Sequence, residues 1–170
     1  MRKFHSGNWL AGVVVCLAIG AFAAQANAFA GEVDSADHAM NMQYKALKWS
    51  KIVPELGNRS PEIAFLRVDP STKATQLMIR VPKNIHVPKH WHTANETHTI
   101  VKGAFIMECE GKRETLGQGS WNFVPGKMAH EAWTKPNEGA LLMITVDSAW
   151  DLNWAGEPPK PADFIGGRKD

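Results

Sequence analysis

The chain has 170 residues, 19 Lys and Arg against 17 Asp and Glu, and two cysteines. Arg2 and Lys3 account for the whole basic surplus, so residues 29–170 are formally neutral, and no Lys/Arg run with interleaved aromatics points to nucleic acid. The length suits one domain with a real core, and Cys109 alone outside the first 28 residues excludes an internal disulfide framework.

The chain starts like an export signal. A basic pair precedes an apolar, small-residue run from Leu10 to Ala24, and Ala26-Asn27-Ala28 follows as a small-x-small cleavage pattern. The run is shorter than the roughly 20 residues that span a bilayer. The expectation is a signal peptide over 1–28, cut after Ala28, with Ala30 as a second site. The product would be periplasmic or secreted, with no stable membrane insertion after cleavage. Cys16 would leave with the leader, and Cys109 is expected to be buried, as unpaired Cys commonly is.

Residues 29–46 read as an irregular N-terminal segment. From Leu47 the chain turns to short strands. Ile63 to Val68 is followed by the turn sequence Asp69-Pro70-Ser71-Thr72. Thr75 to Val81 places Leu77, Ile79 and Val81 on one face. Further strands are expected over Val87 to His92, Glu96 to Lys102, Ala104 to Cys109, Ser120 to Val124, Ala129 to Thr134 and Ala140 to Val146. Turn signals recur about every 8–12 residues, which indicates a sandwich or small barrel. No amphipathic helix is expected between 60 and 147. The barrel should cover 47–154, and 155–170 reads as an extended C-terminal tail around Glu157-Pro158-Pro159-Lys160-Pro161.

His90-Trp91-His92 lies on a strand, so the two imidazoles share a face and can converge on one ion. Thr93-Ala94-Asn95 is short enough for a tight turn, which would set Glu96 beside them on the neighbouring strand. Imidazole with carboxylate suits Mn, Fe, Ni, Cu or Zn. Gly103, Gly119, Pro125 and His130 complete a spaced constellation.

That constellation resembles the two motifs of the cupin superfamily. G-x5-H-x-H-x3–4-E-x6-G matches at His90, His92, Glu96 and Gly103. G-x5-P-x-G-x2-H-x3-N matches at Gly119, Pro125 and His130. The resemblance implies an all-β fold, a small antiparallel double-sheet barrel of jelly-roll type. It carries the role of metal ligand to His90, His92, Glu96 and His130. Asn84 replaces the opening glycine, Lys127 stands where the second glycine falls because Gly126 comes one position early, and Thr134 replaces the closing Asn. Asn tolerates a left-handed backbone, so the first turn can survive.

His98 should point into the barrel beside Glu96. It is the candidate catalytic residue, an acid/base or a ligand orienter; an interior histidine tied to a carbonyl or hydroxyl fits the same pattern. Trp91, Trp121 and Trp133 alternate with inward positions. An exterior aromatic surface would fit a homodimer, and packing under the N-terminal segment would fit equally. Met78, Met107, Met128 and Met143 read as core fillers rather than copper ligands.

An open mononuclear site can polarise a carbonyl, activate water or, with a redox-active metal, use O2. The cofactor expected is one divalent metal ion. Export favours Zn or Cu by the Irving–Williams order, while Fe, Mn and Ni also fit the donors. The leading expectation is a metal-dependent enzyme acting on a small organic substrate, oxygenase-like chemistry slightly ahead. The alternative is a non-catalytic domain that binds or senses a small ligand or metal.

Overall fold

The computed structural model describes residues 39–168. The expected leader and its cleavage sites, with His5 and His38, lie outside the described residues. The strands in chain order are β1 (Ser50–Lys51), β2 (Glu62–Val68), β3 (Thr75–Val81), β4 (His86–Trp91), β5 (Glu96–Cys109), β6 (Lys112–Gly117), β7 (Trp121–Val124), β8 (His130–Trp133), β9 (Ala140–Val146) and β10 (Asn153–Trp154). Their hydrogen-bonded order is β1-β2-β3-β9-β5-β8-β4-β10, with β6 and β7 also on β5. The fold is thus all-β, a curled antiparallel sheet whose two halves face each other. Short 3-10 turns occur at Tyr44–Ala46, Pro54–Arg59 and Pro161–Phe164. No helix among the described residues is long and apolar enough to cross a membrane.

The core follows the period-two pattern. Leu77 and Val81 of β3 and Ala140, Leu142, Ile144 and Val146 of β9 are buried on one face. β3 and β9 pair in unbroken register from Thr75↔Val146 to Val81↔Ala140, which brings those residues side by side. β6 was not foreseen. Its pattern of polar residues is exposed along nearly its whole length, so no hydrophobic alternation marks it.

β5 organises the barrel. The sequence suggested two strands broken at Gly103; the structure has one long strand. Its first half pairs with β7 and β9, and its second half with β6 and β8. The register with β9 slips between Ile100 and Lys102. A one-residue slip reverses which face each later side chain points to. Before it, Glu96, His98 and Ile100 face inward; after it, Phe105 and Met107 do. Val101, at the slip, is exposed.

Gly103 makes this possible. Its φ is 77°, and a Cβ there would lie 2.0 Å from the Gly139 carbonyl oxygen. That obstacle is backbone and cannot swing away. Gly103→Ala is expected to destabilise the protein by more than about 3 kcal/mol. Urea unfolding should show the midpoint falling; an unchanged midpoint would mean the close approach is not needed.

The two departures from the motif glycine and asparagine have structural uses. Asn84 takes a left-handed φ of 60°, as expected of the glycine it replaces. Its side-chain oxygen accepts from Gly167 N at 2.7 Å, which a glycine could not do. Thr134 is fully buried, donates to the Pro82 carbonyl at 2.7 Å and accepts from Ile85 N at 2.9 Å. Arg168 N donates to the Thr134 carbonyl at 3.0 Å. Together they dock the C-terminal segment, and Phe164 is buried against the barrel.

Two expectations about the surface need correction. Trp133 points outward yet is buried, because His86 stacks on it at 4.9 Å and the Arg168 guanidinium lies over it at 4.8 Å. Trp121, by contrast, is 61 % exposed. Cys109 is half-buried, not interior, because it sits at the last position of β5.

Candidate metal centre

His90 and His130 are direct partners across β4 and β8. His92 follows the end of β4. One ring nitrogen from each of these three buried histidines lies within 4.8 Å of those of the other two. Among the described residues this is the group that could hold a metal ion.

Hydrogen bonds decide which nitrogen is free. His90 Nδ1 meets the Pro88 carbonyl at 2.7 Å, His130 Nδ1 meets the Met128 carbonyl at 3.1 Å, and His92 Nδ1 contacts the Asp151 carbonyl. A carbonyl can only accept, so each Nδ1 carries the proton. Each neutral ring then keeps its lone pair on Nε2. Outward Nδ1–H donors that orient a ring are the usual support of a metal-binding histidine.

Glu96 adjoins the trio. Its Oε2 lies 3.1 Å from His92 Nε2 and 3.2 Å from His98 Nε2. Oε1 accepts from Trp150 Nε1 at 3.3 Å, whereas Oε2 is fully buried with no hydrogen-bond partner among the described residues. An orphaned carboxylate oxygen inside a barrel is costly. Glu96, expected as the fourth ligand, is not part of the convergent group of three and adjoins it through His92. The three imidazole lone pairs fit a divalent ion, which would lie near this carboxylate.

Burial favours the neutral ring at His90 and at His130. Burial, with His130 and His92 nearby, drives the pKa of His90 well below its ordinary value. Burial likewise pushes His130 down to about 4. Burial alone would raise Glu96, but the neighbouring His98 and His92 pull it below the usual carboxylate range.

His98 sits where the sequence placed it, inward and beside Glu96. Its Nδ1 is 3.0 Å from Asn122 Oδ1. Asn122 Nδ2 donates to Met107 Sδ at 3.2 Å, so the amide oxygen must face His98. His98 Nδ1 therefore carries a proton, and Nε2 is the nitrogen presented to Glu96. Asn122 could have been found from sequence: it lies between outward Trp121 and Phe123 and so must face in. Trp150 and Asp151 could not. They lie 54 and 58–59 residues from the groups they bind, on a turn after β9.

Glu96 reaches the site by another route than expected. A neighbouring strand beside the histidine pair was anticipated, but β8 lies between β4 and β5. Glu96 and His98 belong to the half of the sheet with β7 and β9, opposite the histidine trio. The 93–95 segment crosses between the halves. It is held by Asp151, which accepts from Thr93 N at 2.8 Å, and by Asp147, which accepts from Asn95 N at 3.1 Å. Gly126 packs against it so closely that a Cβ would lie 2.7 Å from the Thr93 carbonyl oxygen.

The histidines line a cavity of about 60 Å³ inside the barrel. Its other walls include Val87, Phe105, Met107, Leu142 and Ile144.

Solved structures with the same fold include enzymes. The chain resembles the polyketide cyclase RemF from Streptomyces resistomycificus at 18% identity and TM-score 0.60, over 73% of this chain and 90% of that one. It resembles an RmlC-like cupin protein from Ralstonia eutropha JMP134 at 16% identity and TM-score 0.59, over 71% and 74% of the two chains. It resembles the DMSP lyase DddQ from Ruegeria pomeroyi DSS-3 at 15% identity and TM-score 0.58, over 68% and 64%. Such identities establish fold alone. Comparison with curated proteins finds no match. The profile of the ChrR Cupin-like domain family matches residues 37–148, which span the strands that carry the histidine trio, Glu96 and His98, and the chain belongs to that family.

Proposed function

We propose that this protein is a mononuclear metal-dependent enzyme acting on a small organic molecule, with the ion held by His90, His92, His130 and Glu96. The observation that carries the reading is the convergence of three buried imidazoles, with Glu96 Oε2 beside His92 and without a hydrogen-bond partner among the described residues. A divalent ion here supplies Lewis acidity and, where it is redox-active, a centre for O2 chemistry. Oxygenase-like chemistry is the preferred form of the reading.

The protein's own groups account for the rest. The Pro88, Met128 and Asp151 carbonyls hold the three rings in one tautomer. Trp150 fixes one oxygen of Glu96 and leaves the other directed at the site. His98 lines the cavity, and its Nδ1–H is anchored by Asn122. Its Nε2 can take or return a substrate proton without the ring turning.

The test is metal content, followed by oxygen uptake over a panel of small phenols, diketones and carboxylic acids. Stoichiometric redox-active metal with substrate-dependent uptake is expected. His98→Ala should keep its metal and lose roughly 10²–10⁴-fold in turnover. Stoichiometric zinc with no oxygen uptake would end the oxygenase reading, and full turnover in His98→Ala would reduce His98 to a core histidine.

A further inference from the structure

The composition of the cavity wall narrows the ligand class. Five side chains of the wall are ionisable, and all five belong to the site: His90, His92, His98, His130 and Glu96. Every other lining residue is aliphatic, aromatic or a thioether. Among the described residues no Lys, Arg or Asp and no hydroxyl or amide side chain lines it. The polar groups lie together, since His92, Glu96 and His98 are linked by contacts of 3.1 and 3.2 Å and His90 and His130 adjoin His92.

The geometry points to a ligand with one polar head and an apolar body, a small monofunctional molecule such as a simple phenol, rather than a sugar acid or a dicarboxylate. The inference rests on the metal reading of the histidine trio, which supplies the partner for the head. Away from the site, a second charged group would meet no counter-ion among the described residues of the wall. A second or third hydroxyl would have no acceptor, and each unpaired one costs roughly tenfold or more in affinity. Size sets an upper bound. One water-sized group needs about 10–15 Å³ of such space, so a cavity of about 60 Å³ takes a ring or a short branched chain. Ile79, Leu142 and Ile144 come from paired strands β3 and β9, and Val87, Phe105 and Ala132 from β4, the second half of β5 and β8, so the apolar body is enclosed from both halves of the barrel.

The experiment uses the full chain loaded with Co(II), whose visible absorption reports on groups that reach the metal. Three probes are titrated: p-cresol, succinate and galacturonate. We expect p-cresol to shift the cobalt bands and to bind at least about tenfold more tightly than either acid. Ala132→Leu, which fills the cavity, should weaken p-cresol at least tenfold and leave the resting cobalt spectrum unchanged. If that variant does not fold, Ile79→Ala, which enlarges the cavity, should instead extend binding to bulkier alkylphenols. Equal or tighter binding of succinate or galacturonate overturns the inference, as does a normal cobalt spectrum that p-cresol never perturbs. Failure to take up cobalt is a failure of the metal reading and is visible before any probe is added. In that case the metal-free protein is melted with each probe. A rise in Tm with p-cresol alone still supports the apolar ligand class, and no rise with p-cresol overturns it.

Discussion

Replacing His130 by alanine should abolish stoichiometric metal binding and lower the melting temperature by roughly 10–20 °C in the presence of metal. His130 sits at the centre of the site, across from His90 in the β4–β8 register and in the same group as His92. The proposed ligands, the histidine trio and Glu96, come from both halves of a curled sheet, so a bound ion would tie together elements that otherwise meet through packing. Metal at a thousand times its dissociation constant stabilises a folded site by about 4 kcal/mol. For a domain of this size each kcal/mol moves Tm by a few degrees. The control is a chelator. Wild type should lose most of its advantage over His130→Ala once both are stripped, because the lost energy is that of the ion. Metal analysis and calorimetry on the same four samples decide the matter. Equal melting with and without chelator, in wild type shown to contain metal, would sink the proposed ligand set.

The metal-free protein should lose about 3 kcal/mol of stability as pH falls from 6.5 to 4, and metal should be released over the same interval. The sign follows from His130. Its pKa is pushed from the ordinary 6.5 to about 4 in the folded state, chiefly by burial. Above pH 6.5 the ring is neutral in both folded and unfolded chains, and the stability is fully present. Below it the unfolded chain takes up a proton that the folded chain refuses, so unfolding gains ground until the folded ring titrates near 4. His90, also buried and depressed, adds in the same direction. Glu96 is held below its ordinary 4.5 and stays ionised throughout. Protons and metal compete for the same nitrogens, so release follows the same course. Denaturant unfolding of the apo protein at several pH values between 7.5 and 4 measures the loss. A flat profile would show that the imidazoles are not buried as neutral rings.

Much of this architecture is local and was therefore readable. Leu77, Ile79 and Val81 alternate, and β3 forms over Thr75–Val81 as that alternation requires. The His90-x-His92 pair shares a strand-like face, while the third imidazole, His130, was indicated only by the resemblance of the Gly119–Pro125–His130 spacing to the second cupin motif. His98 followed from Glu96 by the same period of two. What stayed hidden depends on contacts between distant segments. The register slip near Val101 turns Phe105 and Met107 inward together with His98, and no periodicity in the sequence announces a change of phase. β8 intervenes between β4 and β5, so Glu96 meets the histidines across the barrel rather than along a shared edge. The tautomers of His90, His92 and His130 are set by backbone carbonyls, which carry no residue-specific signal. Trp150 and Asp151 reach the site only because the chain folds back after β9. Residue types and their spacing can name the donors of a metal site. Their convergence, their protonation and the apolar wall around them arise only when the sheet closes.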